Sequence, residues 1–341
     1  MVDSSTYIQK LDEPSYFNEI KTNITDPTKL KKNEFDKFKT WSNKFKNTLG
    51  AKINPNSLRW VDLNHLKLIH LIGITYQSAS LRAHIEALAN ILLAINKTKY
   101  KSLVRQLFKT GIDLQKDIQS DNDKSILTNT QNKNYVSFND LELARNSLKE
   151  LVITNPNNKK LNFQYLILAF NTLIPPLRLE SLNLRIIRVK DDHYIDDSEN
   201  YLMEIQKGKW VIIINKDKIS NKYPSSIFKI SKNIRGVTHG SLLNKIITES
   251  LDRFPRDFLL TGLTSNQPMH SSTYNTLLFD IFEPKNPTQN LIRKAYINHW
   301  HRAKINGSEL SEGTLKEIAL HMRHSVNTAR SNYRKIDIDS D

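Results

Sequence analysis

Apolar residues recur at alternating spacings of four and three along Leu81, Ile85, Leu88, Leu92 and Ile95, which places them in one stripe on a helix. Leu103, Leu107, Ile112 and Leu114 predict a second helix behind it, and the pattern from about residue 57 onward reads as a small helical domain. Residues 119–134 are rich in Ser, Asp, Asn, Lys and Gln with few large apolar groups, and read as a linker. A new start follows at Ser137-Phe-Asn-Asp140, a Ser-x-x-acid helix signal, with Leu141, Leu148 and Leu151 continuing an apolar face. Residues 161–174, rich in Leu, Ile and Phe, predict the next helix. Pro175-Pro176 stop it, because proline lacks an amide donor and restrains the residue before it.

The period then changes. Leu184–Val189, Tyr201–Ile205, Trp210–Ile214 and roughly Ile227–Ile230 read as strands, with Gly208 as a turn. Helical patterns return over about 241–253, 271–282, 288–303 and 312–333, and no internal repeat is visible. The expected fold is mainly α with a small β-sheet (α+β), in two domains: a helical one over 51–130 and a mixed one over 131–341. Residues 1–50 are polar and lysine-rich (Lys29, Lys31, Lys32, Lys37, Lys39, Lys44, Lys46), with Trp41 and Phe45 as anchors for a short helix. They read as a basic N-terminal arm.

Charge narrows the class of partner. The chain has 341 residues, with 50 Lys plus Arg against 35 Asp plus Glu, a formal net charge of +15. Such an excess favours a polyanion, nucleic acid before membrane, although codon bias toward Asn, Lys and Ile gives the same trend. Lys97, Lys99, Lys101, Arg105 and Lys109 in the helical domain are candidates to face phosphates, or simply a solvated face. With no cysteine, disulfides, thiolate catalysis and zinc fingers are excluded. The first residues lack the basic and apolar regions of a signal peptide, and no apolar run approaches a membrane span. A soluble, intracellular protein is expected.

The chemistry-bearing stretch is His321-Met-Arg-His324-Ser, with Tyr333 nine residues after His324. Alone such a pair is weak, and His321 and His324 also have the spacing of metal ligands on a helix, with no evident third ligand. Arg178 and Arg293 lie upstream, with a lysine-bearing hairpin between them.

In this order the motifs resemble the catalytic domain of tyrosine recombinases, the phage-integrase-like family, over about 200 residues. Pro-Pro-Leu-Arg178-Leu-Glu-Ser-Leu resembles the first arginine box, in a form similar to integrase-like proteins of large DNA viruses and their mobile elements. Asn290-Leu-Ile-Arg293-Lys-Ala-Tyr-Ile-Asn-His299 resembles the His-x-x-Arg box, and His321-Met-Arg-His324-Ser the Leu-Gly-His-Ser box. Tyr333 falls at the nucleophile position.

The resemblance implies a reaction. Tyr333 attacks phosphorus and holds the 3′ phosphate covalently, while Arg178 and Arg293 offer paired donors to the non-bridging oxygens. The leaving 5′ oxygen takes a proton from a hairpin lysine, Lys218 first and Lys216 second. His324 bonds the phosphate or assists proton transfer. No metal or other cofactor is required. The partner would be double-stranded DNA, clamped between two domains, with a homotetramer forming on paired sites.

Four departures stand out. Asn290 replaces a histidine and cannot shuttle a proton at neutral pH, Arg323 replaces a glycine, and Glu180 follows Arg178 by two residues rather than three. Eight residues follow Tyr333, where many recombinases continue into a helix that docks on a neighbouring protomer. Contacts from the N-terminal arm, or assembly only on DNA, are the alternatives. Two other activities share this fold. A type IB topoisomerase usually carries Ser-Lys-x-x-Tyr, against Ala329-Arg-Ser-Asn-Tyr333 here. A DNA-binding factor with an impaired site is suggested by Asn290 alone.

Overall fold

A computed structural model describes residues 34, 36, 37, 69, 70, 73, 78–123, 127–179, 183–189, 196–217, 225–234, 236–305, 308–324 and 329. The expectations for Trp41, Phe45, Glu180, Lys218, Tyr333 and most of the basic arm lie outside the described residues. The chain divides into two compact units, Met1–Lys124 and Ser125–Asp341.

In the first unit, α1 (Ser78–Asn96) packs on α2 (Lys101–Asp123). The stripe Leu81, Ile85, Leu88, Leu92 and Ile95 is buried throughout. The matching face of α2 is Leu103, Val104 and Leu107. Ile112, expected in that face, is instead 57% exposed. Gly111 takes the position one turn beyond Leu107, where an added Cβ would lie 3.9 Å from Glu86 Cγ, and Ile112 is rotated off the seam. Lys97, Lys99, Lys101, Arg105 and Lys109 are all exposed.

The expected linker is corrected in part. Helix α2 continues to Asp123, and α3 (Asn129–Lys133) opens on a capping box between Thr128 and Gln131. Polar helical residues leave no apolar stripe to read, so composition alone resembles a linker.

The second unit begins with α4 (Phe138–Thr154), whose Ser137 hydroxyl accepts from the Asp140 amide at 3.1 Å while the Ser137 amide donates back to the Asp140 carboxylate. Its buried face is Phe138, Leu141, Arg145, Leu148 and Val152. Leu151, expected inside, is 46% exposed because Leu148 and Val152 already fill that turn. Helix α5 (Lys159–Thr172) is buried from Asn162 to Thr172. A helix apolar on every side belongs in a core, and α5 contacts α4 together with α6 (Gly240–Arg253), α7 (Ser271–Phe282) and α8 (Gln289–Arg302). Its polar groups are bonded: Gln164 donates to the Leu277 carbonyl, and Asn162 accepts from the Ser250 hydroxyl at 2.6 Å.

Four strands form one mixed sheet in the order β1 (Leu184–Ile187), β2 (Asn200–Gln206), β3 (Lys209–Ile214), β4 (Ser226–Lys229). β1 runs parallel to β2, and the other neighbours are antiparallel. Gly208, at φ 70°, makes the β2–β3 turn. Along β3 the side chains alternate: Trp210, Ile212 and Ile214 join the main core, while Val211 and Ile213 pack with Ile187 and Tyr201 on the other face. Further on, the two-stranded hairpin β5 (Lys304–Ile305) and β6 (Ser308–Glu309) precedes α9 (Glu312–His321). The fold is thus mainly helical with a small mixed sheet, of the α+β class.

The single helix expected over 312–333 is corrected: α9 ends at His321. Arg323 has φ 52°, its amide donates to the Leu320 carbonyl, and the His324 amide donates to the Ala319 carbonyl. These two bonds are a Schellman closure, with Arg323 in the left-handed position that glycine usually fills. Arginine there costs about 1 kcal/mol relative to glycine. Nothing in the residue types announces the break, because arginine is a good helix former.

Candidate active site

Three segments converge on the guanidinium of Arg293. This residue lies on α8, fully buried. Its Nη1 donates to the Pro176 carbonyl at 2.8 Å, and its Nη2 donates to the Met322 carbonyl at 2.9 Å. Pro176 stands two residues before Arg178, and Met322 two residues before His324. One cation thereby joins the first arginine loop to the turn that ends α9. Its sequence-based assignment is direct phosphate binding. In this state, instead, two of its five N–H donors hold the backbone of the other candidate residues.

Gln289 lies one helical turn before Arg293 and fastens the same loop. Its Nε2 donates to the Leu177 carbonyl at 2.7 Å and to Asn171 Oδ1 at 2.8 Å. The Tyr274 hydroxyl donates to Gln289 Oε1 at 2.6 Å and accepts from Asn171 Nδ2 at 3.0 Å. Burial raises the Tyr274 phenol well above its ordinary pKa, so it stays a neutral donor. The amide of His239 donates to the Leu173 carbonyl, pinning the end of α5. Arg178 emerges from this anchored segment half-buried, and its Nε is buried without a hydrogen-bond partner.

Asn290 sits in the first turn of α8, exposed, after the Thr288 N-cap. It is three residues from Arg293 and open to a ligand. His324 is 3% exposed, and its backbone is fixed by the bond to Ala319. His321 lies against Phe228, ring centroids 4.8 Å apart. Burial first, then the nearby Lys232 charge, lowers its pKa to about 4, with Glu317 opposing. His321 is therefore neutral at pH 7. Among the described residues no cluster of three His, Cys, Asp or Glu is placed to hold a metal.

The lysine loop leaves β3 at Asn215. Asn200 holds it: its Oδ1 accepts from the amides of Asn215 (2.9 Å) and Lys216 (2.8 Å), and its Nδ2 donates to the Lys216 carbonyl (2.8 Å). The Lys216 side chain is exposed and lines an open cleft of about 620 Å³ with Arg185, Glu199 and Phe258. Asp217 receives Arg323 Nε at 2.7 Å and Nη2 at 3.3 Å, and Arg323 Nη1 donates to the Ser226 hydroxyl at 2.7 Å. The two side chains are 0% and 3% exposed.

Arg293 thus hydrogen-bonds the backbone two residues before Arg178 and two residues before His324, and Asn290 lies on the same helix as Arg293. The roles assigned to Lys218 and Tyr333 fall outside the described residues. Sequence reasoning missed Gln289, Asn200, Asp217 and the structural part of Arg323. A signal existed for Gln289, which shares a helix face with Arg293 at a spacing of four.

No known protein family matches the chain, and no curated protein matches it. Among solved structures, one similar chain is described as a crystal structure of XerA recombinase: 14% identity, covering 94% of this chain and 94% of that one, with a TM-score of 0.35, an overlap too slight to assign an activity.

Proposed function

We propose that this protein is a tyrosine recombinase-like enzyme that cuts and rejoins double-stranded DNA through a 3′-phosphotyrosyl intermediate. The observation that carries the reading is the Arg293 bridge. A single buried guanidinium fixes the two segments that bear Arg178 and His324, residues far apart in sequence and matched to the same motif set.

In the proposed reaction, the Tyr333 oxygen attacks phosphorus and the bond from phosphorus to the 5′ oxygen breaks. Arg178 and Arg293 stabilise the non-bridging oxygens as negative charge gathers on them. His324 bonds the same phosphate, and exposed Asn290 adds a neutral amide donor. Lys218 gives its proton to the departing 5′ oxygen. The 5′ hydroxyl of another strand then reverses the steps, which needs no external energy because the ester is conserved. Pairing of two sites calls for a homotetramer on DNA, and the setting is intracellular.

A duplex nicked close to the scissile phosphate traps cleavage, because the short 5′ fragment diffuses away. Wild type is expected to form a covalent protein–DNA adduct, and Tyr333→Phe none. An equal yield from both would remove Tyr333 as nucleophile. Relaxation of a supercoiled plasmid without strand exchange would replace recombination by topoisomerase action.

A further inference from the structure

Two cavities of the second unit adjoin beside the segment that carries Arg178. The cleft of about 620 Å³ lined by Arg185, Phe258 and Lys216 shares Asn183 and Pro268 with a second cavity of about 650 Å³, lined by Leu179, Met269 and His270. We propose that this trough binds an unpaired nucleotide of the substrate DNA, its base against the wall of Arg185 and Phe258 and its phosphate within reach of Lys216. The inference rests on the function proposed above and names which part of the substrate the trough takes.

The walls select the ligand. Sites for small organic groups enclose about 300–1,000 Å³ and combine apolar walls with a few polar groups. Phe258, Pro268, Leu179, Leu260 and Met269 supply the apolar surface of this trough. Arg185 lies over the Phe258 ring, 4.7 Å from its centroid, and two bonds to the Glu199 carboxylate hold its guanidinium there. A planar cation stacked on a ring is a surface on which an unstacked base lies well.

Charge sets the polarity of the occupant. The carboxylates of the first cavity are committed, Glu199 to Arg185 and Asp217 to Arg323. Lys216 is exposed, its backbone amide and carbonyl both held by Asn200, and presents an ammonium from a fixed point. In the second cavity His270 is exposed, and its side chain makes no cap bond to α7. A cation, a hydrogen-bonding ring and apolar walls suit a nucleotide better than a lipid or an apolar peptide. Position assigns the nucleotide to the substrate. Leu179 directly follows Arg178, and Tyr274, which also lines the second cavity, holds Gln289 and through it the Leu177 carbonyl. The trough thereby borders the backbone that presents Arg178. Exchange of strands takes bases near the cut out of their pairs, and a surface that replaces their stacking lowers the cost of that step.

The test separates bases from backbone charge. Affinity of the full chain is measured by fluorescence anisotropy for a nicked duplex with a short 5′ flap of thymidines, and for the same duplex with abasic residues in the flap. Both flaps carry the same phosphates, so the strongly basic chain attracts them equally. Wild type is expected to bind the thymidine flap about fivefold to a hundredfold more tightly. Asn183→Glu puts a carboxylate where the two cavities meet, and is expected to bring that ratio close to one. Phe258→Leu keeps the wall apolar but removes its ring, and is expected to lower the ratio in part. The ratio within one preparation does not depend on the fraction folded, so instability cannot imitate these results. A wild-type ratio near one, or a ratio that both variants leave unchanged, would overturn the trough. Adduct formation is scored on the same duplexes: an adduct without flap preference removes the trough alone, and flap preference without an adduct keeps the nucleotide site but removes the cleavage reading. Failure to bind either duplex would overturn both.

Discussion

Gln289 accepts one hydrogen bond and donates two inside the core, and each partner is itself committed. Asn171 also bonds the Ile167 carbonyl, and the Leu177 carbonyl leads directly into Arg178. Replacing Gln289 by leucine fills similar space and strands the Leu177 carbonyl and Asn171 Oδ1. Leaving buried polar groups unmatched costs about 1–3 kcal/mol each. Gln289→Leu is expected to lower the urea midpoint by a corresponding amount and to slow adduct formation, because the loop before Arg178 loses its second anchor. If stability falls but the cleavage rate of the folded fraction does not, Gln289 supports the core and not the site. At this scale the sequence is least legible. Glutamine reads as a surface residue, Asp217 as one acid among many, and Arg323 as a helix former. Their roles depend on distant partners: Asp217 lies 106 residues from Arg323, and Asn171 and Leu177 lie 118 and 112 residues from Gln289.

Helix α9 presents a titration at its C-terminal end. His321 packs on Phe228, with Lys232 and Glu317 forming an ion pair at 2.8 Å beside it. Its folded-state pKa, lowered to about 4, lies below the ordinary histidine value. Between those two values the unfolded chain binds a proton that the native state refuses. Stability therefore rises with pH across that window and falls as pH drops from about 6.5 toward about 4, by at most about 3 kcal/mol. His321→Phe keeps a ring against Phe228 and removes the titration. The wild-type urea midpoint is expected to fall more than the variant's between about pH 7.5 and about pH 4.5. Identical losses would show that other groups govern acid unfolding.

The elements themselves were mostly legible in the pattern. The α1 stripe follows from a spacing of three and four, and β3 from a short, continuous apolar run rich in β-branched residues after Gly208. Ends and faces were less so. Ile112 and Leu151 are apolar yet exposed, because a neighbouring residue already fills the seam at each turn. The break after His321 is set by hydrogen bonds and a buried ion pair, which periodicity cannot encode.

Across the whole molecule the dominant property is charge. A net +15 spread over a chain of this size attracts any polyanion, so binding to DNA by itself distinguishes little. The salt dependence of that binding says more. Each phosphate neutralised by a lysine or arginine releases counterions, and six such contacts would weaken affinity about a thousandfold between about 50 mM and about 200 mM salt. In the first unit Lys97, Lys99, Lys101, Arg105 and Lys109 are all exposed around the α1–α2 turn and the start of α2. If these groups track a DNA backbone, changing all five to glutamine lowers the slope of log affinity against log salt by up to about 4.5. Adduct formation at saturating DNA is expected to survive, because the Arg293 assembly lies wholly within the second unit. A slope unchanged by the five substitutions would make this a solvated face and move the DNA contacts elsewhere. Loss of the chemical step at saturation would instead tie the first unit to the positioning of the scissile phosphate.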